Sequence, residues 1–420
     1  MTSGTGRPAE RTDLLRARRR GRARAAGALF VVLAAVSTGN APAAMADTQA
    51  ADQWYLAEMQ AEKMWQISTG EGVKVAVIDS GVNPDTPSLK GQVLVDEVPE
   101  SVAYKVTDDY SGHGTSMAEL IAGTGAGGGL KGLAPGAKIV PYRVALEGLK
   151  QGPEYDKTPE PSEVLRAVAD TDAKIINISF GGMATDADVA AVEYAASKGK
   201  LIFAAVGNED FTDLPAAYPY VVGIGAVDQS FEVSDFSPSG YADLVAPGED
   251  IPSWCDAKFT SYCEGSGTSQ STAIASAAAA LIWSEHPDWT VNQVVRALID
   301  TASRGWPKDK PSGSAGYGFI RPRVILADPA YDAGAPDVDP LADVNEGDLL
   351  AKSGEKAAPS SADPSPTPPK NSPDPTPAGS ATTASEPGDS NTLWIALGAT
   401  AAVIVVGGAG FAVLRARRAR

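Results

Sequence analysis

Short runs of β-branched and apolar residues alternate with helical patterns through the middle of this chain, and no other feature restricts its fold as strongly. Strands that are apolar on both faces must be covered on both sides, which favours a parallel sheet between helices. The sequence therefore predicts an α/β fold with a parallel central sheet. The predicted strands are 74–78, 138–143, 174–178, 201–206 and 221–226, and the predicted helices are 163–170, 186–199 and 268–285.

Three glycine-rich blocks each contain one residue of a potential catalytic set. Asp79 lies in the block 75–81, His113 in 111–115 and Ser269 in 265–269. A serine hydroxyl is a weak nucleophile at neutral pH, so it needs a base within hydrogen-bond reach and a third group that orients that base. Asp79 follows a predicted strand, where the functional groups of open α/β sheets gather. The three blocks predict a serine protease.

The histidine content leaves few candidates for the base. The chain contains only two histidines, His113 and His286. His286 follows a long Ala-rich helical pattern, so we interpret it as a helix-end residue. Asp108 and Asp109 precede His113 closely, but no apolar strand leads into them, and we interpret both as loop carboxylates. The sequence therefore predicts His113 as the general base.

These blocks carry a resemblance to a known family. The order Asp, His, Ser is that of subtilisin, and the stretch from about residue 53 to 326 resembles the subtilisin-type serine proteases, with further similar blocks at 176–182, 204–208 and 235–248. Within that family it is most similar to the mycosins, membrane-anchored proteases associated with type VII secretion. This resemblance implies a subtilisin-like three-layer fold.

The resemblance also implies roles for individual residues. Ser269 is the expected nucleophile, His113 the base and Asp79 the group that orients the imidazole. Asn208 is expected to donate its side-chain amide to the oxyanion, together with the backbone N–H of Ser269. Because Ser269 begins an Ala-rich helical pattern, we expect it at a helix N-terminus, which favours negative charge.

The same resemblance suggests how substrate binds. Ser179, Phe180 and Gly181 match the family's segment that pairs with an extended substrate, which would give binding by β-augmentation. The chain departs from the family after the nucleophile, where Ser271 and Ala273 stand at positions usually occupied by Ala and Pro. Alanine is a good helix former, so this departure is compatible with the predicted helix.

Cys255 and Cys263 are the only cysteines. An even count in an oxidising compartment favours a disulfide, and two unpaired thiols are the alternative. This pair and the two histidines leave no zinc ligand set, so we expect neither a metal nor another cofactor.

The N-terminus has the features of a secretory signal over residues 1–46. An Arg-rich segment extends to Arg24, an apolar run covers 25–37, and small residues suggest cleavage after Ala46, or alternatively after Ala43. An uncleaved anchor is the other interpretation. A peptidase domain is predicted over 47–330, and its residues 47–71 are expected to form a short extension that packs on the catalytic part.

The C-terminal region predicts a membrane anchor. Residues 331–391 are rich in Pro, Ser, Asp, Ala and Thr, a composition that favours a disordered stalk. Residues 392–414 are uncharged and long enough, at about 1.5 Å per residue, to form a helix that crosses a hydrocarbon core of about 30 Å. The Arg-rich tail 415–420 is then cytoplasmic, which places the peptidase domain outside the cell membrane.

The leading function is therefore a membrane-tethered endopeptidase that acts on protein or peptide substrates outside the cell, with type VII secretion machinery as a partner implied by the mycosin resemblance. A structural role in a secretion complex, with weak or dispensable proteolysis, is the alternative. An adhesin built on a protease fold would have no reason to keep the catalytic residues. The net charge of −17 argues against nucleic-acid binding.

Overall fold

The structure is a computed structural model that describes residues 53–146, 148–209 and 213–342. The predicted signal peptide (1–46), transmembrane helix (392–414) and basic tail (415–420) lie outside these residues, as does most of the predicted stalk. No helix within the described ranges is both long and apolar enough to cross a membrane.

Six parallel strands form the central sheet in the order β2-β1-β3-β4-β5-β6, so all their carboxyl ends lie at one edge. An antiparallel hairpin, β7–β8, lies apart from this sheet. The strands are β1 (Lys74–Asp79), β2 (Lys138–Arg143), β3 (Ile175–Ile178), β4 (Leu201–Ala205), β5 (Val221–Val227), β6 (Leu244–Pro247), β7 (Ile251–Trp254) and β8 (Tyr262–Gly265).

Helices surround the sheet within the described residues. They are α1 (Trp54–Glu58), α2 (Ala61–Met64), α3 (His113–Ala122), α4 (Pro161–Ala169), α5 (Asp186–Ser197), α6 (Thr268–Glu285), α7 (Val291–Thr301) and α8 (Pro322–Leu326).

The sheet separates two apolar cores, because successive side chains of a strand point to opposite faces. In β1, Val75 and Val77 belong to one core, whereas Ala76 and Ile78 belong to the other. Helices α3 and α6 contribute to the first core, and α4 and α5 to the second. The result is the three-layer α/β arrangement that the sequence predicts.

All five predicted strands and all three predicted helices are present, with ends that differ by at most two residues. The sequence analysis did not include β6, the β7–β8 hairpin or α3. Strand β6 has only four residues, and α3 begins inside a glycine-containing block, so neither has a long periodic pattern.

The described part of the N-terminal extension packs on the catalytic domain. Tyr55 is fully buried. The indole N–H of Trp54 donates to the carbonyl of Glu249 (3.1 Å), and that of Trp65 donates to the carbonyl of Leu133 (2.8 Å). Residues 53–71, the described part of the predicted extension, therefore contact the rest of the domain.

Residues beyond 330, where we expected the stalk to begin, still pack on the domain. Leu341 is fully buried. The guanidinium of Arg296 on α7 donates to the carbonyls of Ala333 (2.7 Å) and Ala335 (2.9 Å). The packed part of the chain therefore continues beyond the predicted boundary.

Candidate active site

The parallel sheet brings the predicted catalytic residues to one edge. Asp79 is the last residue of β1, and Asn208 follows β4. His113 is the first residue of α3 and Ser269 the second of α6, so two helix N-termini face the edge where these strands end.

Asp79 and His113 form a direct pair. The Nδ1 atom of His113 lies 2.8 Å from Oδ1 and 3.0 Å from Oδ2 of Asp79, and the carboxylate is fully buried. Gly114 makes this approach possible, since a Cβ atom at that position would lie 2.2 Å from the carbonyl oxygen of Gly81. The carboxylate therefore holds the Nδ1 side of the ring and leaves Nε2 for proton transfer.

The environment of His113 shifts its pKa upward. Burial of the imidazole lowers the pKa, but the charge and hydrogen bond of Asp79, with the charge of Asp109, raise it by more in total. The direction is that of a base whose protonated form is stabilised by a buried carboxylate.

Asp109 has a larger role than the loop carboxylate that the sequence suggested. It is 4% exposed and accepts hydrogen bonds from the N–H groups of Ser111 (3.0 Å), Gly112 (2.8 Å) and Thr115 (2.8 Å). The hydroxyls of Thr115 (2.7 Å) and Ser80 (2.8 Å) also donate to it. Asp109 thus holds together the loop that presents His113.

One sequence signal pointed to this role. Gly112, the N-cap residue of α3, has no side chain that could satisfy the free N–H groups of the first turn. A helix that starts in this way needs an acceptor from elsewhere, and Asp109 is the nearest upstream carboxylate.

Ser269 is held differently. Its hydroxyl donates to the backbone carbonyl of Ser179 (2.8 Å), and the hydroxyl of Ser179 donates back to the carbonyl of Ser269 (3.1 Å). Within the described residues, no hydrogen bond joins Ser269 to His113. Ser269 is therefore anchored to the segment that follows β3 rather than to His113.

A buried polar chain supports this anchor. The side-chain amide of Asn177 donates to the hydroxyl of Ser179 (2.9 Å), and the hydroxyl of Ser276 donates to the Asn177 carbonyl oxygen (3.1 Å). Asn177 and Ser276 are completely buried, and Ser179 is 2% exposed. This chain links α6 to β3 and fixes the segment that the family resemblance assigns to substrate pairing.

Asn208 has a defined amide orientation. Its Oδ1 accepts hydrogen bonds from the backbone N–H (2.8 Å) and the hydroxyl (3.2 Å) of Thr268. Because a backbone N–H only donates, the atom facing it must be the amide oxygen, and Nδ2 is left to donate elsewhere. Thr268 directly precedes Ser269, so this donor lies beside the nucleophile.

A groove of about 880 Å³ extends from His113 along Ser179, Phe180, Gly181 and Gly182. The predicted substrate-pairing residues therefore line an open groove that begins at His113.

The hairpin before Ser269 carries both cysteines at its end. The sulfur atoms of Cys255 and Cys263 are 1.95 Å apart, which is a bonding distance. Tyr262 directly precedes Cys263, and its hydroxyl donates to Glu119 on α3 (2.6 Å). The hydroxyl of Thr86 donates to the same carboxyl group (2.7 Å). Burial raises the pKa of Glu119 to about 7. Nothing in the sequence analysis indicated this buried carboxyl group.

The residues that depart from the family pattern fit into α6. The hydroxyl of Ser271 donates to the carbonyl of Ala246 (3.0 Å), and Ala273 is fully buried. The helix continues without a break to Glu285. His286 caps its C-terminal end and stacks on Trp289 (3.7 Å between ring centroids), so it is the helix-end residue that we expected.

The described residues contain no group of three or more His, Cys, Asp or Glu side chains that could hold a metal ion. The site offers a hydroxyl, an imidazole, a carboxylate and an amide donor, which is a set suited to acyl transfer.

Comparison with known proteins agrees with this geometry. The chain is 32% identical to the minor extracellular protease Epr of Bacillus subtilis (strain 168) over 294 residues, which are 67% of this chain and 43% of Epr. It is 35% identical to subtilisin E of the same strain over 247 residues, or 56% of this chain and 61% of subtilisin E. The chain therefore spans less than two thirds of the length of these two relatives.

A solved structure covers a similar range. The MycP3 protease from the type VII (ESX-3) secretion system superposes with a TM-score of 0.54 and 29% identity, covering 69% of this chain and 90% of MycP3. Residues 70–318 match the subtilase family (peptidase S8). This match covers more than half of the chain and includes all the residues of the candidate site. The chain belongs to the subtilase family.

Proposed function

We propose that this chain is a serine endopeptidase that hydrolyses peptide bonds through a covalent acyl-enzyme. The observation that carries the proposal is the contact between the buried Asp79 carboxylate and Nδ1 of His113, at the sheet edge that also carries Ser269 and Asn208. Family membership and the geometry of the site support the same reaction class.

In the first half of the reaction, the oxygen of Ser269 attacks the carbonyl carbon of the scissile peptide bond while its proton passes to Nε2 of His113. Asp79 stays ionised and stabilises the imidazolium. The tetrahedral intermediate then collapses, the C–N bond breaks, and His113 gives the proton to the leaving amine. The N-terminal part of the substrate remains as an ester on Ser269.

The negative charge that develops on the carbonyl oxygen needs donors that are already in place. Nδ2 of Asn208 supplies one, and the backbone N–H of Ser269 at the start of α6 supplies the other. In the second half, His113 takes a proton from water, the hydroxide attacks the ester, and Ser269 leaves with the proton returned by His113. Atoms and charges balance over the cycle with one water consumed.

Substrate binding has an additional task in this scheme. In the free protein the Ser269 hydroxyl donates to the carbonyl of Ser179, so a rotation about its Cα–Cβ bond must redirect it to His113. A substrate strand along Ser179–Gly181 lies beside the nucleophile and favours this rotation. Catalytic hydrogen bonds commonly form fully only in the complex with substrate.

We further propose that the domain acts outside the cell membrane in a type VII secretion setting. The similarity to MycP3, the secretory features of residues 1–46 and the apolar segment 392–414 support this setting. The Cys255–Cys263 contact fits a disulfide in an oxidising compartment. Peptide mapping without reductant tests the disulfide. We expect one cross-linked pair of peptides that separates on reduction.

Removal of the nucleophile tests the reaction. With casein as substrate, the full-length Ser269→Ala variant should lose about a million-fold in kcat. The matched control is Ser266→Ala, whose hydroxyl only accepts a hydrogen bond from the backbone of Asp250. Equal activity of both variants would overturn the proposed chemistry. Secretion restored to wild-type level by Ser269→Ala would instead assign the physiological role to structure rather than proteolysis.

A further inference from the structure

Among the described residues, the Asp213 carboxylate has no hydrogen-bond or ion-pair partner. Asp213 lines the groove together with Ser179, Gly181 and His113, and no side chain or backbone donor in the described residues hydrogen-bonds to its carboxylate. It is partly buried. An ionised group in such a position has lost part of its hydration without gaining a counter-charge.

The pKa of Asp213 is raised above its ordinary value. Burial raises it, and the negative charge of Glu209 raises it further. Both effects disfavour the free carboxylate, and a bound cation would reverse them.

The backbone fixes where this carboxylate lies relative to the chemistry. The N–H of Asp213 donates to the carbonyl of Val206 (3.0 Å), so Asp213 lies against the segment that leads into Asn208. Its side chain also lies against Gly181, where an added Cβ atom would come within 2.4 Å of the Asp213 carboxyl carbon. Glycine at position 181 is thus what leaves room for the carboxylate.

In the binding mode of the proposed endopeptidase, these two segments border the same substrate residue. The residue whose carbonyl is attacked must direct its oxygen to Asn208 while its backbone lies along Ser179–Gly181. Its side chain then enters the space between the segment at Val206 and Gly181, and Asp213 lies against both.

We propose that Asp213 selects substrates with Lys or Arg on the N-terminal side of the scissile bond. This inference rests on the proposed endopeptidase function and names its substrate class. A long side chain with a terminal cation reaches from the backbone to the carboxylate and forms a charge-assisted hydrogen bond in a partly desolvated site. Lys and Arg are absent among the described residues that line the groove, so no internal cation competes.

The test uses the full-length chain and fluorogenic peptide mixtures that vary only at the residue before the scissile bond, with Lys, norleucine or Glu there and randomised flanks. Norleucine has the apolar stem of Lys without its charge. We expect kcat/KM for Lys to exceed that for norleucine by at least about tenfold, since a hydrogen bond to a charged group contributes enough for about 10- to 100-fold.

Substitutions then assign the preference to one residue. Asp213→Asn should lower the Lys to norleucine ratio by about 10- to 100-fold, and Asp213→Lys should shift the preference toward Glu. Glu160→Gln is the matched control, because Glu160 lines the same groove and the substitution removes the same charge. Each ratio is internal to one preparation, so a smaller folded fraction does not change it.

The outcomes separate the two proposals. Cleavage of the peptides without preference for Lys, or an equal fall of the ratio in Asp213→Asn and Glu160→Gln, overturns the role of Asp213 and leaves the protease function intact. If the wild-type chain cleaves casein but none of the three mixtures, the role of Asp213 fails alone; if it cleaves neither casein nor the mixtures, the proposed function fails as well.

Discussion

The two halves of the candidate site are ordered in different ways. On one side, the Asp79–His113 pair is already formed, and the buried Asp109 carboxylate holds the loop that presents the imidazole. On the other side, Ser269 is bonded to the carbonyl of Ser179 and not to the base. The acid–base half is complete in the free protein, whereas the nucleophile half still needs a change of one side-chain torsion.

This difference indicates which step depends on substrate. The imidazole needs no rearrangement, because a buried carboxylate and fixed backbone donors determine its orientation and tautomer. In the proposed mechanism, the Ser269 hydroxyl changes partner when substrate occupies the groove. Variants of the first half should therefore lower kcat for every substrate, and variants around Ser269 should respond to how well a substrate fills the groove.

Among the variants of the acid–base half, Asp79→Asn is expected to lower kcat the most. The amide can stabilise the wrong imidazole tautomer and cannot stabilise the imidazolium, so kcat should fall by about 10⁴-fold. Steady-state hydrolysis of a peptide substrate measures it. The control is Asp85→Asn, an exposed loop carboxylate on the same segment, which should stay within about twofold of wild type. A comparable loss in the control would show that the effect comes from the loop and not from the base.

A smaller effect is expected on the nucleophile side for Asn208→Ala. Loss of one oxyanion donor should lower kcat by about 100- to 1000-fold with little change in KM. Thr268→Val provides a graded comparison, because it removes the hydroxyl that contacts the Asn208 amide and the backbone of Gly207, and keeps the backbone N–H that orients the amide. This variant should lower kcat by about tenfold. If KM rises while kcat is unchanged, Asn208 binds substrate and does not stabilise the transition state.

The pH dependence of kcat/KM tests the environment of His113. The base must be neutral, so kcat/KM falls as the pH drops through the pKa of His113, and the upward shift of this pKa places the fall above the ordinary value of about 6.5. Asp109→Asn removes a negative charge that raises the pKa, so the fall should move to lower pH. Asp108→Asn, at an exposed neighbouring carboxylate paired with Lys105, is the control and should leave the profile in place.

The smallest expected effect concerns the contact between α3 and the hairpin. The pKa of Glu119 is raised to about 7 in the folded protein, above its unfolded value near 4.5. The neutral form is favoured on folding, so this group's contribution is full below about pH 4.5 and is lost as the pH rises toward 7. The loss amounts to roughly 3 kcal/mol.

Glu119→Gln tests this contribution, since the amide keeps an acceptor for Tyr262 and does not ionise. Denaturant unfolding between pH 5 and pH 8 should show a free energy of unfolding that falls less with pH in the variant than in wild type. Parallel pH dependence of the two proteins would contradict a raised pKa at Glu119.

The same contrast explains what the sequence could predict. The three glycine-rich blocks are local in sequence. Apolar runs mark the strand that ends at Asp79 and the strand that precedes Asn208. Both the sheet and the positions of these residues could therefore be predicted. Asp109 had only one sequence signal, the glycine that precedes α3, and that signal shows that an acceptor is needed without showing which residue supplies it. Glu119 and Asp213 are similar cases. The first is buried by Tyr262 and the second lies against Gly181, both contacts between residues far apart in the chain.

The labelling of the nucleophile is the most direct test of the central claim that these residues form a working catalytic site. The full-length protein is treated with a fluorophosphonate probe, digested and mapped by mass spectrometry, with Asp79→Asn as a folded comparison. We expect a single adduct on Ser269, with none on Ser266 or Ser271, and much slower labelling in the variant. A wild-type protein that folds but carries no adduct on Ser269, or labels equally fast without Asp79, would contradict it.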